Sequence, residues 1–280
     1  MSMNSRGNKS LYKPRQPDFE QKYCTQSYVV GEDDLLYGKI LEIYQYKADK
    51  LEDTVTVLPD GCFEMVFYFF ADHIESHLVI GQSEIEYVPI KECMSGFGIR
   101  FIPGWLGHVH NAPLTRTVDI RENLKYISCS EVFKDFDRFY REIVSTGSFE
   151  RRIEACRSYF GTTERLEDSP SELARQACLY LMNRNGNSSV GELERYLGYS
   201  SRYIRKIFDE YVGFSPKTLN EIIRFQYSFY HYYTNPGRSL SDLACEFGYY
   251  DLSHMNRSYL KLAKQLPKHL YRKVFLERTV

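Results

Sequence analysis

Between Ser189 and Tyr271 the apolar positions fall at helical spacing, and the pattern is given twice. Ile204, Ile207, Phe208 and Tyr211 stand at i, i+3, i+4 and i+7, which places them on one stripe of a helix. Met255, Ser258, Tyr259 and Leu262 repeat that stripe 51 residues later. A shorter amphipathic segment precedes each, carrying Leu193 and Leu197 in the first copy and Leu240, Leu243, Ala244 and Phe247 in the second. Each short segment ends in a glycine, Gly198 or Gly248, that can take the positive φ of a tight turn. These glycines are 50 residues apart, so the second copy has one extra residue in its turn. Ser189 and Glu192 form an S-x-x-E capping box that opens the first short helix. Between the copies, Ser215 and Pro216 read as an N-cap and first-turn proline. The long helix they open carries Leu219, Ile222, Ile223, Phe225, Gln226 and Tyr230, and Asn235-Pro236-Gly237 ends it after Thr234. The expectation is two helix-turn-helix units joined by one helix, with their second helices about one DNA turn (~34 Å) apart.

Toward the other end the period changes. Thr54–Leu58, Cys62–Phe70, Leu78–Ile80, Ile85–Ile90 and Phe97–Ile102 are β-branched and aromatic runs. Turn residues separate them: Pro59-Asp60-Gly61, Gly81, Gly96 and Pro103-Gly104. Short strands at this spacing predict a sandwich or barrel. Leu35–Tyr46 fits a strand or a short helix. Helical periodicity returns over Glu131–Val144 and Phe149–Phe160, whose aromatic faces can pack on the β-domain or on a second subunit. The polar stretch 161–168 marks the domain boundary, after which Ser169-Pro170-Ser171-Glu172 caps the first helix of the last part. The fold class is therefore α+β. Residues 1–25 are expected as a flexible arm, 26–165 as a β-rich regulatory or dimerisation domain ending in helices, and 166–280 as an all-α domain.

Composition adds three constraints. A chain of 280 residues can hold two domains with separate cores. Seven cysteines with no C-x2-C pair argue for reduced thiols in a cytoplasm. No apolar run is long enough for a membrane span, and the first residues lack the apolar core of a secretory signal. The net charge of −1 hides an asymmetry: from Leu173 onward 16 Lys and Arg face 9 Asp and Glu, leaving 20 against 28 before it. A basic half joined to an acidic one suits binding of a polyanion by one half only.

Gly198 to Pro216 (G-Y-S-S-R-Y-I-R-K-I-F-x4-G-F-S-P) and Leu240 to Tyr259, with Pro267 beyond, resemble the double helix-turn-helix domain of AraC/XylS-family transcription regulators. Three positions depart from that pattern: Glu194 stands where a small residue usually packs, Gly191 weakens the first helix, and Lys264 replaces a turn glycine. Leu58–Cys62 (LPDGC) and Gly98–Gly104 (GxRFxPG) resemble the β-rich N-terminal domain of one subgroup of that family, commonly a cupin-like barrel that senses an effector or dimerises. The resemblance implies a cytoplasmic regulator that binds double-stranded DNA, meets RNA polymerase, responds to a small-molecule effector and forms a homodimer, with no cofactor and no catalysis.

Opposite the apolar stripes lie Arg202, Arg205 and Lys206 in the first unit and Ser253, His254, Asn256 and Arg257 in the second. Arginine and lysine pair with guanine edges or phosphate, and by resemblance these positions reach bases. Lys217, Lys261, Lys268 and Arg272 are expected to touch phosphates, which position without reading sequence. In the β-domain, Asp60, Glu64 and Arg100 are candidates for a polar effector-binding cluster, although Asp60 also fits as a turn residue. His108-x-His110 lacks the glutamate and third histidine a transition-metal site needs, so no metal is expected. Cys62 reads as a buried small apolar residue rather than a nucleophile. The alternative function, a small-molecule or metal-dependent cupin-like enzyme with a helical appendage, requires a convergent titratable constellation that the sequence does not supply.

Overall fold

The computed structural model describes residues 12–48, 54–88, 95–105, 126–161 and 169–275. Helix α1 (Pro17–Lys22) precedes strands β1 (Cys24–Val29), β2 (Ile40–Lys47), β3 (Val55–Val57), β4 (Phe63–Phe69), β5 (Ile74–Val79), β6 (Glu86–Val88), β7 (Ser95–Phe101) and β8 (Tyr126–Ser128). Six of the strands form one antiparallel sheet in the order β1-β2-β7-β4-β5-β8, and β3 pairs with β6 in a separate ribbon. Strand β1, the first residues of β5 and strand β8 fall outside the runs expected from sequence. The polar residues of β1 and of the first half of β5 carry little β signal, and β8 is too short to show a period.

Period-2 alternation decides what each face of the sheet meets. On β4, Phe63, Met65 and Phe67 point to one side and Glu64, Val66 and Tyr68 to the other. The first side is covered by α2 (Cys129–Val132), α3 (Phe136–Val144) and α4 (Phe149–Gly161). Aromatic pairs join them: Phe67 to Phe136 at 6.1 Å, Phe97 to Phe149 at 6.5 Å, Phe101 to Phe160 at 5.3 Å. The aromatic faces of α3 and α4 are thus occupied by this chain's own sheet. The expected continuous helix over Glu131–Val144 is broken at Phe133, whose extended backbone lets its ring join Phe101 and Phe160.

The other face meets the ribbon and the segment expected as a flexible arm. Residues 12–25 are instead built in, and the cause is side-chain hydrogen bonding to backbone. Gln16 uses its amide as a strand would, accepting from Leu58 N at 2.8 Å and donating to Leu58 O at 2.8 Å. Asp18 accepts from Thr56 N at 2.6 Å, and the buried Tyr12 donates to Asp60 O at 3.2 Å. Polar composition marks such a segment as solvated, yet here the polar groups supply the partners.

The remaining helices are α5 (Pro170–Asn183), α6 (Val190–Leu197), α7 (Ser201–Tyr211), α8 (Pro216–Thr234), α9 (Leu240–Glu246), α10 (Leu252–Ala263) and α11 (Pro267–Phe275). The two halves do not keep separate cores. One buried cluster runs from the sheet through Trp105 into Ala174, Cys178, Leu193, Ile204 and Phe208. A second joins Leu58 and Ile85 of the β-rich part to Ile222, Phe225, Phe229 and Tyr259. The two loop glycines of the β-domain motifs explain this. Gly61 (φ 72°) and Gly104 (φ 82°) both need positive φ, and both face the helices. A Cβ on Gly61 would stand 2.7 Å from a Leu219 methyl, and one on Gly104 would stand 3.2 Å from Cys178 Sγ.

A second steric demand lies inside the sheet. Tyr44 and Tyr46 on β2 pair across from Gly98 and Gly96 on β7, and their rings lie flat over the glycine backbone. A Cβ at either glycine would be 2.2 Å from a ring carbon. Gly98→Ala is therefore expected to destabilise the protein by about 1–3 kcal/mol through overpacking. Urea unfolding of the purified variant checks this, and unchanged stability would show that the ring relaxes freely.

Candidate nucleic-acid interface

Each unit of the tandem is positioned by its caps. Ser189 and Glu192 make the complete reciprocal box at the start of α6. Helix α7 is capped by Ser200, which accepts from Tyr203 N, and also by Glu194, whose carboxylate accepts from Ser201 N. Glu194, a departure from the family pattern, thus places a negative charge at the N-terminus of α7, where the helix dipole favours it. A Cβ on Gly191 would meet only Arg195 Nη1, at 3.9 Å, so the cost of this glycine is one of propensity alone. Asp251 caps α10 by accepting from His254 N at 2.6 Å. Lys264 takes the left-handed conformation (φ 54°) that closes α10, the role glycine plays in the first copy.

With α7 and α10 seated by Ile204, Ile207, Phe208, Met255, Tyr259 and Leu262, all buried, their opposite faces are open. Arg202, Arg205, Lys206, Ser253 and Arg257 are exposed, and Asn256 is half-buried. His254 differs: its Nδ1 accepts from Tyr250 N at 3.1 Å, so the ring closes the turn and Nε2 is the nitrogen left for an outside contact. Of the four expected phosphate contacts, Lys217, Lys268 and Arg272 are exposed. Lys261 is exposed as well, but its ammonium pairs with Glu221 of α8 at 2.6 Å.

Sequence reasoning missed the residue that fixes the two units relative to each other. Arg224, on α8, donates to Gly186 O at 3.0 and 2.8 Å and to Gly248 O at 3.1 Å. Its guanidinium also lies over the Tyr249 ring, 5.4 Å from the centroid. It ties the turn before α6 to the turn before α10. A lone arginine among apolar residues carries no sequence signal for that task. Ser228 adds a buried contact, its hydroxyl 2.9 Å from Tyr259 Oη.

The three β-domain candidates come together. Sheet register puts Arg100 directly opposite Glu42 on one side and Glu64 on the other. Arg100 Nε donates to Glu64 Oε1 at 2.6 Å, Nη1 donates to Glu42 Oε2 at 2.9 Å, and Asp60 Oδ2 lies 3.6 Å away. Burial alone would lower the guanidinium, but Glu64, Glu42 and Asp60 outweigh it and hold Arg100 charged. Burial pushes the Asp60 carboxyl up against the opposing pull of Arg100. Burial likewise pushes the Cys62 thiol up, away from the thiolate a nucleophile needs. His108 and His110 lie outside the described residues. No helix among the described residues is long and apolar enough to cross a membrane.

Two capped helix-turn-helix units with basic outer faces, held by one connecting helix, define a DNA-binding domain. Residues 193–273 match the family of helix-turn-helix domains, and this C-terminal region is a helix-turn-helix domain of the AraC type. No curated protein matches the chain. Among solved structures it is similar to ToxT of Vibrio cholerae, with 11% identity over 84% of this chain and 98% of that one and a TM-score of 0.39. For ToxT bound to an unsaturated fatty acid the identity is 14%, over 82% of this chain and 93% of that one, with a TM-score of 0.37.

Arg224→Met should destabilise the protein by about 1.5–3 kcal/mol, since it removes charged donors from partly buried carbonyls. Thermal unfolding measures it, and a change within error would mean that packing alone fixes the two units.

Proposed function

We propose that the chain is a sequence-specific DNA-binding regulator of transcription, whose β-rich half senses an effector and acts on the tandem units through α8. The observation that carries the reading is the pair of capped helices, each with a buried apolar stripe and an exposed face bearing Arg202, Arg205 and Lys206 or Ser253 and Arg257. Such helices enter the major groove and pair arginine with guanine O6 and N7. Double-stranded DNA is thus the first partner. RNA polymerase, a second copy of the chain and a cytoplasmic setting follow from the family resemblance.

Coupling between the halves has a physical path. Gln226, buried on α8, accepts from Arg15 N at 2.9 Å and donates to Pro59 O at 2.9 Å. Pro59 belongs to the same loop as Asp60, which lies beside Arg100. Farther along, Ile85 N donates to Leu262 O at 2.7 Å, satisfying a terminal carbonyl of α10. Lys264 pairs with Glu84 at 2.5 Å, and Lys273 Nζ donates to Tyr87 Oη at 2.7 Å. A shift in the Leu58–Gly61 loop therefore moves the surface on which α8 rests.

With a DNA site selected from a random pool, Arg205→Ala and Arg257→Ala should each cost about 1–3 kcal/mol of binding and relax specificity. Lys217→Ala, Lys268→Ala and Arg272→Ala should each reduce the salt slope of binding by about 1 without altering preference. Fluorescence anisotropy at several salt concentrations reads both. Undiminished binding by the Arg205, Arg257 double variant would sink the assignment. Gln226→Leu should leave the buried Pro59 carbonyl unpaired and the half-buried Arg15 N–H without its partner, and cost about 1–3 kcal/mol of stability. Chemical denaturation reads that cost, and a stable variant would show that the bridge is dispensable.

A further inference from the structure

The two halves of the tandem differ at the residue that precedes each outward-facing helix. Counted from the N-caps, Ser200 and Asp251, that residue is Tyr199 in the first unit and Tyr250 in the second. Tyr199 packs its ring on Tyr203, one turn into α7, with centroids 5.1 Å apart. The matching position in α10 is His254, and its ring is already used. It stands edge-on to Tyr249 at 5.5 Å, and its Nδ1 accepts from Tyr250 N at 3.1 Å. The extra residue in the second turn explains the difference. Tyr249 takes the buried place, 5% exposed, against the Arg224 guanidinium. Tyr250 is left outside, 93% exposed, and its side chain has no ring or hydrogen-bond partner among the described residues.

A single exposed ring needs no explanation by itself, but the place of this one does. The bond from Tyr250 N to His254 fixes the backbone at the entrance of α10. The side chain therefore starts from the N-terminal edge of the face that carries Ser253, Asn256 and Arg257. In a helix-turn-helix unit the first residues of the second helix meet base edges, and the sugar-phosphate strands wall the groove beside them. Phosphate oxygens only accept, and tyrosine is among the side chains that donate to them. The neighbouring anion, Asp251, is turned back onto its own helix, where it accepts from His254 N at 2.6 Å. The charges around α10 leave work for a neutral donor. Arg257 is the one Lys or Arg of that helix without a carboxylate partner, since Lys261 pairs with Glu221, and Lys264 just beyond pairs with Glu84. In the first unit, by comparison, Arg202, Arg205 and Lys206 are all exposed.

We infer that Tyr250 donates its hydroxyl to a DNA phosphate at the edge of the groove that α10 enters, and so positions that helix without reading sequence. The inference rests on the reading of the chain as a DNA-binding regulator. It adds a contact to which neither the basic residues nor the apolar stripes point.

The full chain carrying Y250F tests this, with the selected DNA site as probe. Loss of one neutral hydrogen bond should weaken binding about three- to tenfold, and by the same factor on sites altered at base pairs under α10. The salt slope of binding should not change, because a phenol displaces no counterion. Thermal unfolding of the free chain should be unaltered, as the side chain packs on nothing. A scan of single methylphosphonates, each replacing one phosphate oxygen, should find one position where Y250F binds as well as the unaltered chain. Unchanged affinity, a loss confined to one base pair, a lower salt slope, or a scan that finds no such position would each overturn the inference. Arg257→Ala measured alongside keeps the two readings apart: weak binding by that variant with full binding by Y250F removes this contact and leaves the regulator standing.

Discussion

Helix α8 must be packed on several sides at once, and the rest of the architecture follows from that demand. Leu219, Ile222, Ile223, Phe225, Gln226, Ser228, Phe229 and Tyr232 are all buried along it, too many for one apolar stripe. Its partners are the first helix-turn-helix unit, the second unit and the Leu58–Gly61 loop of the β-rich half. A helix shared by three bodies transmits displacement among them, because close-packed interiors yield by repacking rather than by compression. The polar members of that list mark its joints. Gln226 meets the loop, Ser228 meets Tyr259, and Arg224 beside them meets both turns.

The same view changes the meaning of the two β-domain motifs. Their conspicuous residues suggest chemistry within a barrel, yet Gly61 and Gly104 sit where loop backbone approaches Leu219 and Cys178. The motifs therefore do two jobs. Asp60 and Arg100 build the polar end of a cavity of about 150 Å³ on the ribbon-facing side of the sheet, and the neighbouring glycines dock the domain on its helices. One loop thus carries both a wall of the cavity and the contact with Leu219 of α8.

Legibility in the sequence follows periodicity. Both helix-turn-helix units, the caps at Ser189 and Ser215, and the connector ending at Thr234 are readable because 3.6-residue stripes and capping residues are local signals. Strands β4 and β7 of the sheet and β3 and β6 of the ribbon are readable from their β-branched and aromatic runs, whereas the β2 run fits a strand and a short helix equally. Pairing across distance is not readable. Nothing local says that Gln16 will serve Leu58, that Arg224 will join Gly186 to Gly248, or that Lys261 will meet Glu221. For the same reason the polar segment 12–25 reads as solvated chain, and the core reads as divisible in two.

The abundance of tyrosine acquires a physical reason once the burial is known. Phenylalanine fills the helix-facing side of the sheet, where Phe67, Phe97 and Phe101 pack among other apolar side chains. Tyrosine lines the side where the chain has placed charge: Tyr44 donates to Glu64, and the Arg100 guanidinium lies 5.6 Å from its ring centre. A ring with an apolar body and a polar tip can close a cavity wall while serving a buried carboxylate. Phenylalanine at position 44 would keep the wall but leave Glu64 one donor short, next to an ion cluster that already has more negative groups than positive ones. The sheet thus sorts its aromatic residues by what lies across from them.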